Sequence, residues 1–208
     1  MSLRERIFGR GMFMETFSGG IYYPASPRAS EVRLVDIAHH LSMICRFTGA
    51  CRKRYDVAQH SIHVSYCVPP EHALAGLLHD APEAYLNDMG RPLKKAPLMF
   101  GYRIYEHRNW LAIAEHFGLA PVLPKCVHYA DNAVLLAERA VLMYPTGRHW
   151  AIPAVAADIA IHDWTPEQSE QAFLDRFYEL TRGAPRGWPA DGSLPFDAGF
   201  CVTQGATA

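Results

Sequence analysis

The chain has no apolar run long enough to span a membrane and no N-terminal apolar segment of the kind a signal peptide needs. No membrane partner is expected, and the cytoplasm is the default compartment. It also lacks an excess of either charge: 20 Lys and Arg against 21 Asp and Glu leave a formal net charge of −1. Polynucleotides are bound by basic surfaces, so no polynucleotide partner is expected, while small phosphorylated molecules stay open. Cysteine is sparse. Cys45, Cys51, Cys67, Cys126 and Cys201 are odd in number and form no CxxC pair, which points to buried free thiols in a reducing compartment. A disulfide or metal site at Cys45 and Cys51 is the less favoured alternative. The "GRG" and "SGG" stretches lack the strand-to-helix context of phosphate-binding loops, and there is no internal repeat.

What remains is an ordinary globular composition of one-domain length: 208 residues, half of them apolar. Residues 1–15 read as an extension, 16–183 as the domain, and 184–208 as a Pro- and Gly-rich tail without a core of its own. "TFSGGIYYP" reads as a short hairpin around its Gly-Gly turn. Ser30, Glu31 and Asp36 are placed to open the next segment, where Val35, Ile37, Ala38, Leu41, Ile44 and Cys45 follow a helical period. "VAQHSIHVSYCV" is a second helix stopped by Pro69-Pro70, and Pro70 suits the first position of a third. Pro82 must kink or end that third helix. "RPLKKAP" reads as a loop. Long helices follow over about 99–117 and 124–142, and Thr165, Pro166 and Gln168 sign the start of a last one. The fold class is all-α: a single helical bundle with a short N-terminal hairpin and an irregular C-terminal tail.

The stretch "GLLHDAPEAYLND" sets an imidazole and a carboxylate side by side behind an apolar face. Buried polar groups are costly unless paired or bound to a ligand. On a helix His79 and Glu83 are i and i+4, and Asp80 and Glu83 are i and i+3, so three polar side chains crowd one sector. His60 in "VAQHS" and Asp131 in "HYADNAVLLAER" lie on other helices. Imidazole nitrogens with carboxylate oxygens suit a divalent transition ion. Singly, each residue has an ordinary reading: His60 as a satisfied core histidine, Asp131 as an acid at a helix N-terminus, Glu83 and Asp88 as solvated acids, Lys94 as part of a basic loop, Arg46 as a helix cap and Phe47 as core.

The order H…HD…D, as His60, His79-Asp80 and Asp131, resembles the signature of the HD-domain metal-dependent phosphohydrolases. "ICRFTGACRKRYDVAQHS" is similar to the segment of bacterial HD-domain deoxynucleoside 5′-monophosphatases in which an Arg-aromatic pair precedes the first metal histidine. "LLHDAPEAYLNDMGRPLK" is similar to their HD-x-x-E-x-x-x-x-D-x-x-x-P-x-K block, and the chain also resembles compact phage dATP triphosphohydrolases. The likeness runs from Phe17 to Leu180 and is strongest over 44–95. Only 19 positions separate His60 from His79, which implies a trimmed connection and leaves room for another substrate preference.

The resemblance implies that His60, His79, Asp80 and Asp131 are metal ligands, for Zn, Co or Mn, with Mg an option for a triphosphate substrate. It implies that Glu83 orients or deprotonates the attacking water, that Asp88 is a second essential acid, and that Lys94 meets the phosphate. It makes Arg46 and Phe47 the Arg-aromatic pair near the sugar and base, with Phe47 in place of the more usual tryptophan. The implied substrate is a small deoxynucleotide cleaved at its 5′-phosphoester. The wording leans towards a triphosphohydrolase, with dATP as the candidate substrate; a 5′-monophosphatase and a non-catalytic nucleotide-binding domain are the alternatives. His63 is expected in an outer-shell or core role, and a homo-oligomer stays open.

Overall fold

The computed structural model describes residues 9–182. The expected tail and the first eight residues of the expected extension lie outside the described residues. Strands β1 (Met14–Glu15) and β2 (Ile21–Tyr22) form the hairpin, antiparallel with Met14 opposite Tyr22. Its turn holds Gly19 at φ 77°, left-handed backbone that glycine adopts without a Cβ clash. The hairpin begins inside the 1–15 segment, and Arg10 forms an ion pair with Glu31, so the end of that segment packs with the domain.

Helix α1 (Leu34–Met43) starts after Arg33 in extended backbone, while Ala29–Glu31 is a separate 3-10 turn. Ser30 therefore does not open the helix as its position suggested. Asp36 works differently too: its carboxylate accepts from Ser18 N at 2.7 Å and Ser18 Oγ at 3.0 Å, tying the hairpin to α1.

Helix α2 (Val57–Tyr66) is the central element and packs against α1, α3 (Ala73–Leu78), α7 (Lys125–Leu142) and α8 (Pro166–Arg182). Every residue from Val57 to Ser65 is buried, although Gln59, His60, Ser61, His63 and Ser65 are polar. A helix enclosed on all sides is ordinarily apolar all round, so the polar set marks a site. One core cluster joins Ile37, Leu41, Val57, Ile62, Leu77, Leu78, Ile113 and Phe173. A smaller one joins Val64, Val127 and Val134. Burial of each such large side chain stabilises the fold by about 1.5–3 kcal/mol. Gly76 permits the close approach of α3 to α2: a Cβ there would lie 3.1 Å from Ser65 Cα.

Pro82 acts as its residue type dictates. Helix α3 ends at Leu78, and α4 (Glu83–Leu86) restarts directly after Pro82. The "RPLKKAP" segment is a correction to the sequence reading. Arg91–Lys94 forms a helical turn, α5, because Pro92 in a first turn needs no N–H partner. Helix α6 (Phe100–Phe117) and α7 match the expected long helices within a residue. At α8, Thr165 N donates to Gln168 Oε1 at 2.9 Å and Gln168 N to Thr165 Oγ1 at 3.3 Å, the reciprocal cap its sequence signalled.

The thiols are also corrected in part. Cys45, Cys51, Cys67 and Cys126 are free, but only Cys67 of these is buried and Cys45 is exposed; Cys45 turns outward because its neighbour Arg46 turns inward. Cys201 lies outside the described residues. Among the described residues no helix is long and apolar enough to cross a membrane.

Candidate metal and substrate site

Three helices deliver the polar groups. Asp56 caps α2, its side chain accepting from Gln59 N at 2.9 Å, and this start turns His60 inward. The end of α3 delivers His79 and Asp80. Helix α7 delivers Asp131. Ligand atoms of His60, His79 and Asp131 lie within 4.8 Å of one another, a group that can hold a metal ion. Asp80 joins them: its Oδ2 is 3.5 Å from His60 Nε2 and 3.2 Å from His79 Nε2.

The side chains fit such an ion. His60 Nδ1 is 2.6 Å from Glu138 Oε1, and His79 Nδ1 is 2.8 Å from the Gly76 carbonyl. Each acceptor holds the proton on Nδ1 and leaves the Nε2 lone pair for a ligand. Both Nε2 atoms are buried without a hydrogen-bond partner. Asp131 Oδ1 approaches His60 Nε2 only to 3.4 Å, long for a hydrogen bond. Two nitrogens and two carboxylates suit a divalent transition ion.

Glu138 is a residue that the sequence reading missed. Fully buried on α7, it accepts from Arg46 Nε at 3.1 Å and Tyr55 Oη at 2.9 Å as well as facing His60. Burial pushes its carboxyl up, but Arg46 and then His60 outweigh that and hold it at about 2. The available signal was spacing: Glu138 lies seven residues after Asp131, two helical turns along the same face. Arg91 was missed as well. It donates to Asp131 Oδ2 at 2.9 Å and to the Asn132 side chain, fixing that carboxylate from outside.

Arg46 is buried by an unusual turn. Phe47 and Thr48 both adopt φ 55°, and Arg46 N donates to the Tyr55 carbonyl at 3.0 Å. The guanidinium thereby points inward, between Glu138 and Asp80, the latter 3.7 Å away. Arg46, Phe47, Asp80, Glu83, Asp88, Lys94 and Asp131 all line one cavity of about 120 Å³. Seven of the nine expected residues thus share a wall, and the two histidines complete the metal group at its edge. A second cavity of about 400 Å³ shares Asp80, Lys94 and Asp131 with the first and adds His79, His107, His128 and Trp110. A wider cavity of about 760 Å³, beside Arg28 and Arg108, shares none of these residues; its size does not outweigh the convergence of titratable groups elsewhere.

Electrostatics separate the acids. Burial raises Asp80, but His79 and then His60 pull it well below the usual carboxylate range. Asp131 is held at about 2, chiefly by His60 against burial. Glu83 moves the other way: burial first, then Asp80 and Asp88, push it well above its ordinary value. Its Oε2 has no hydrogen-bond partner, and Lys94 Nζ lies 3.7 Å from Oε1. Burial also raises Asp88. His63, by contrast, sits away from the metal group, stacked between Tyr55 and His162 at ring distances of 6.5 and 6.3 Å.

No family model matches the chain. The uncharacterized protein YfdR of Escherichia coli strain K12 is 38% identical over 173 residues, covering 81% of this chain and 96% of YfdR. The chain belongs to the YfdR family. An uncharacterized protein of Rhodobacter capsulatus is 35% identical over 116 residues, covering 51% of this chain and 59% of that protein. Neither relative's description names an activity, so the functional reading of this YfdR-family chain rests on its site.

Proposed function

We propose that the protein is an HD-domain metal-dependent phosphohydrolase that cleaves the 5′-phosphoester of deoxynucleotides. One observation carries this reading: two buried imidazole Nε2 atoms without partners converge beside two carboxylates, and a buried Glu83 oxygen without a partner faces the same space. An ion held by His60, His79, Asp80 and Asp131 supplies Lewis acidity to water and to phosphoryl oxygens. Glu83 takes the proton from the attacking water, and its raised pKa makes it a better acceptor. The water oxygen bonds to phosphorus as the P–O5′ bond breaks, and a proton returns to the leaving 5′ oxygen, a step assigned to Asp88. Arg46, Arg91 and Lys94 offset the charge that develops on the phosphoryl oxygens, and Phe47 flanks Arg46 on the cavity wall.

Three cations, Arg46, Arg91 and Lys94, line the smaller cavity with Asp80, Glu83, Asp88 and Asp131, and a divalent ion held by the metal group would add positive charge for a phosphate. The cavity is small, about 120 Å³, and admits one phosphate more readily than three, which favours a monophosphate substrate over the triphosphate suggested by the sequence wording. A triphosphate needs its outer phosphates to enter the second cavity beside Lys94 and Arg103. A nucleotide sensor has no use for a buried acid aimed at the reacting centre, so a non-catalytic role fits less well.

The test is product separation. The metal-loaded protein is incubated with deoxynucleoside mono- and triphosphates, and the released anion is identified. Inorganic phosphate with free deoxynucleoside is the expected result, and tripolyphosphate identifies the triphosphate reading. Absence of both with every substrate and metal overturns the proposal.

A further inference from the structure

The phosphate is a minor part of a nucleotide, and the cavity of about 120 Å³ has no space for the rest. Pockets that enclose drug-sized molecules run to about 300–1,000 Å³, which excludes the cavity of about 120 Å³ and admits the neighbouring one of about 400 Å³. Both are lined by Asp80, Lys94 and Asp131, whereas a cavity of about 620 Å³ meets the smaller one only at Glu83, so the pair that shares three residues is the better route from phosphate to nucleoside.

Resting on the reaction proposed above, we infer that the second cavity binds the nucleoside, its base held against Pro82, Val122 and Leu123 with His107 and His128 at its edge. The walls suit a flat heterocycle better than a chain of phosphates. Lys94 is already ion-paired with Glu106 and lies 3.7 Å from Glu83. Arg103 donates to the Lys94 carbonyl at 2.7 Å and to that of Ala96 at 3.3 Å. Glu106 adds a negative charge to the same wall. His107 and His128 are exposed side chains on the cavity rim, and an imidazole can donate to or accept from a base edge. The apolar wall is fixed in place, because Trp110 Nε1 donates to the Pro121 carbonyl at 2.9 Å. Phe47 offers less: its ring lies 6.2 Å from that of Trp150 and 5.6 Å from the Arg46 guanidinium, at the phosphate end.

Val122 is 75% exposed, so Val122→Trp fills the cavity without disturbing the core. Binding is measured by calorimetry on the metal-loaded full chain carrying Glu83→Gln, so that no substrate is consumed. The probes are dAMP, dTMP, inorganic phosphate and inorganic tripolyphosphate. Val122→Trp should weaken both nucleotides by about ten- to two-hundred-fold, the range a pocket contact commands, and leave inorganic phosphate unchanged. His128→Ala and His107→Ala should alter the ratio of dAMP to dTMP affinity. The inference is overturned if neither nucleotide binds, if Val122→Trp leaves their affinity unchanged, or if it weakens tripolyphosphate instead. Hydrolysis is followed separately with Glu83 intact. Cavity-dependent binding without hydrolysis removes the reaction and keeps the nucleoside site; hydrolysis with cavity-independent binding does the reverse.

Discussion

Neighbouring positions on helix α2 carry the same side chain in opposite electrostatic settings. His60 and His63 lie about one turn apart and are 0% and 2% exposed. Burial lowers His63 to about 3, with Glu138 opposing and His60 and His162 adding to the fall. Burial and Arg46 pull His60 down as well, yet Glu138 and Asp131 hold it at about 9. The difference lies in the neighbours. His60 meets carboxylates from three directions; His63 meets the rings of Tyr55 and His162. Burial alone makes an imidazole inert, and burial among carboxylates poises it to exchange its proton for an ion.

The largest expected break falls on the carboxylate-rich side. Glu83→Gln keeps size and hydrogen bonding but cannot accept a proton, so single-turnover hydrolysis should fall by about a hundred- to ten-thousand-fold. Metal content and nucleotide affinity should stay intact in the same preparation. A rate within a few-fold of wild type shifts the base role to Asp88, and loss of the metal makes Glu83 a ligand.

A smaller break comes through Glu138, which touches His60 and Arg46 but not the substrate. Glu138→Gln keeps an acceptor for His60 Nδ1 and removes the charge, and metal affinity should fall by about ten- to a hundred-fold. Unchanged affinity in a metal titration reduces Glu138 to packing.

The contrast sharpens on the apolar side with His63→Leu. His63 has its folded pKa depressed, so the unfolded chain binds its proton first as pH falls below about 6.5. Its contribution is complete above that pH and is lost progressively towards about 3, at up to about 1.4 kcal/mol per pH unit. In urea unfolding, His63→Leu should match wild type near neutrality and lose less stability by pH 5. Parallel acid losses in the two proteins contradict a neutral buried His63. Phe47→Ala should have the smallest effect, raising KM by about two- to tenfold with metal content unchanged; an unchanged KM returns Phe47 to a packing role.

The sequence made the α2 contrast invisible and the site largely visible. His60 and His63 both stand in "HSIH", and no local rule separates them, since the groups that do so arrive from α3 and α7. The HD dipeptide, the acids behind Pro82 and the Arg-aromatic pair were legible because each occupies a contiguous motif. Glu138 and Arg91 were not, as their roles depend on which helix faces which. Long helices with end signals, α6, α7 and α8, were readable to within a residue or so. Short elements fared worse. Pro92 reads as loop in a string of letters, yet at the start of α5 it helps to aim Lys94 at Glu83.

Metal occupancy of His60→Ala and His63→Leu, measured side by side, tests the central claim most directly. Each protein is equilibrated with manganese or cobalt, separated from free metal by gel filtration and analysed for its elements. Wild type and His63→Leu should retain a bound divalent ion, and His60→Ala should lose it. Full occupancy in His60→Ala, or equal loss in both variants, contradicts a metal centre built on His60.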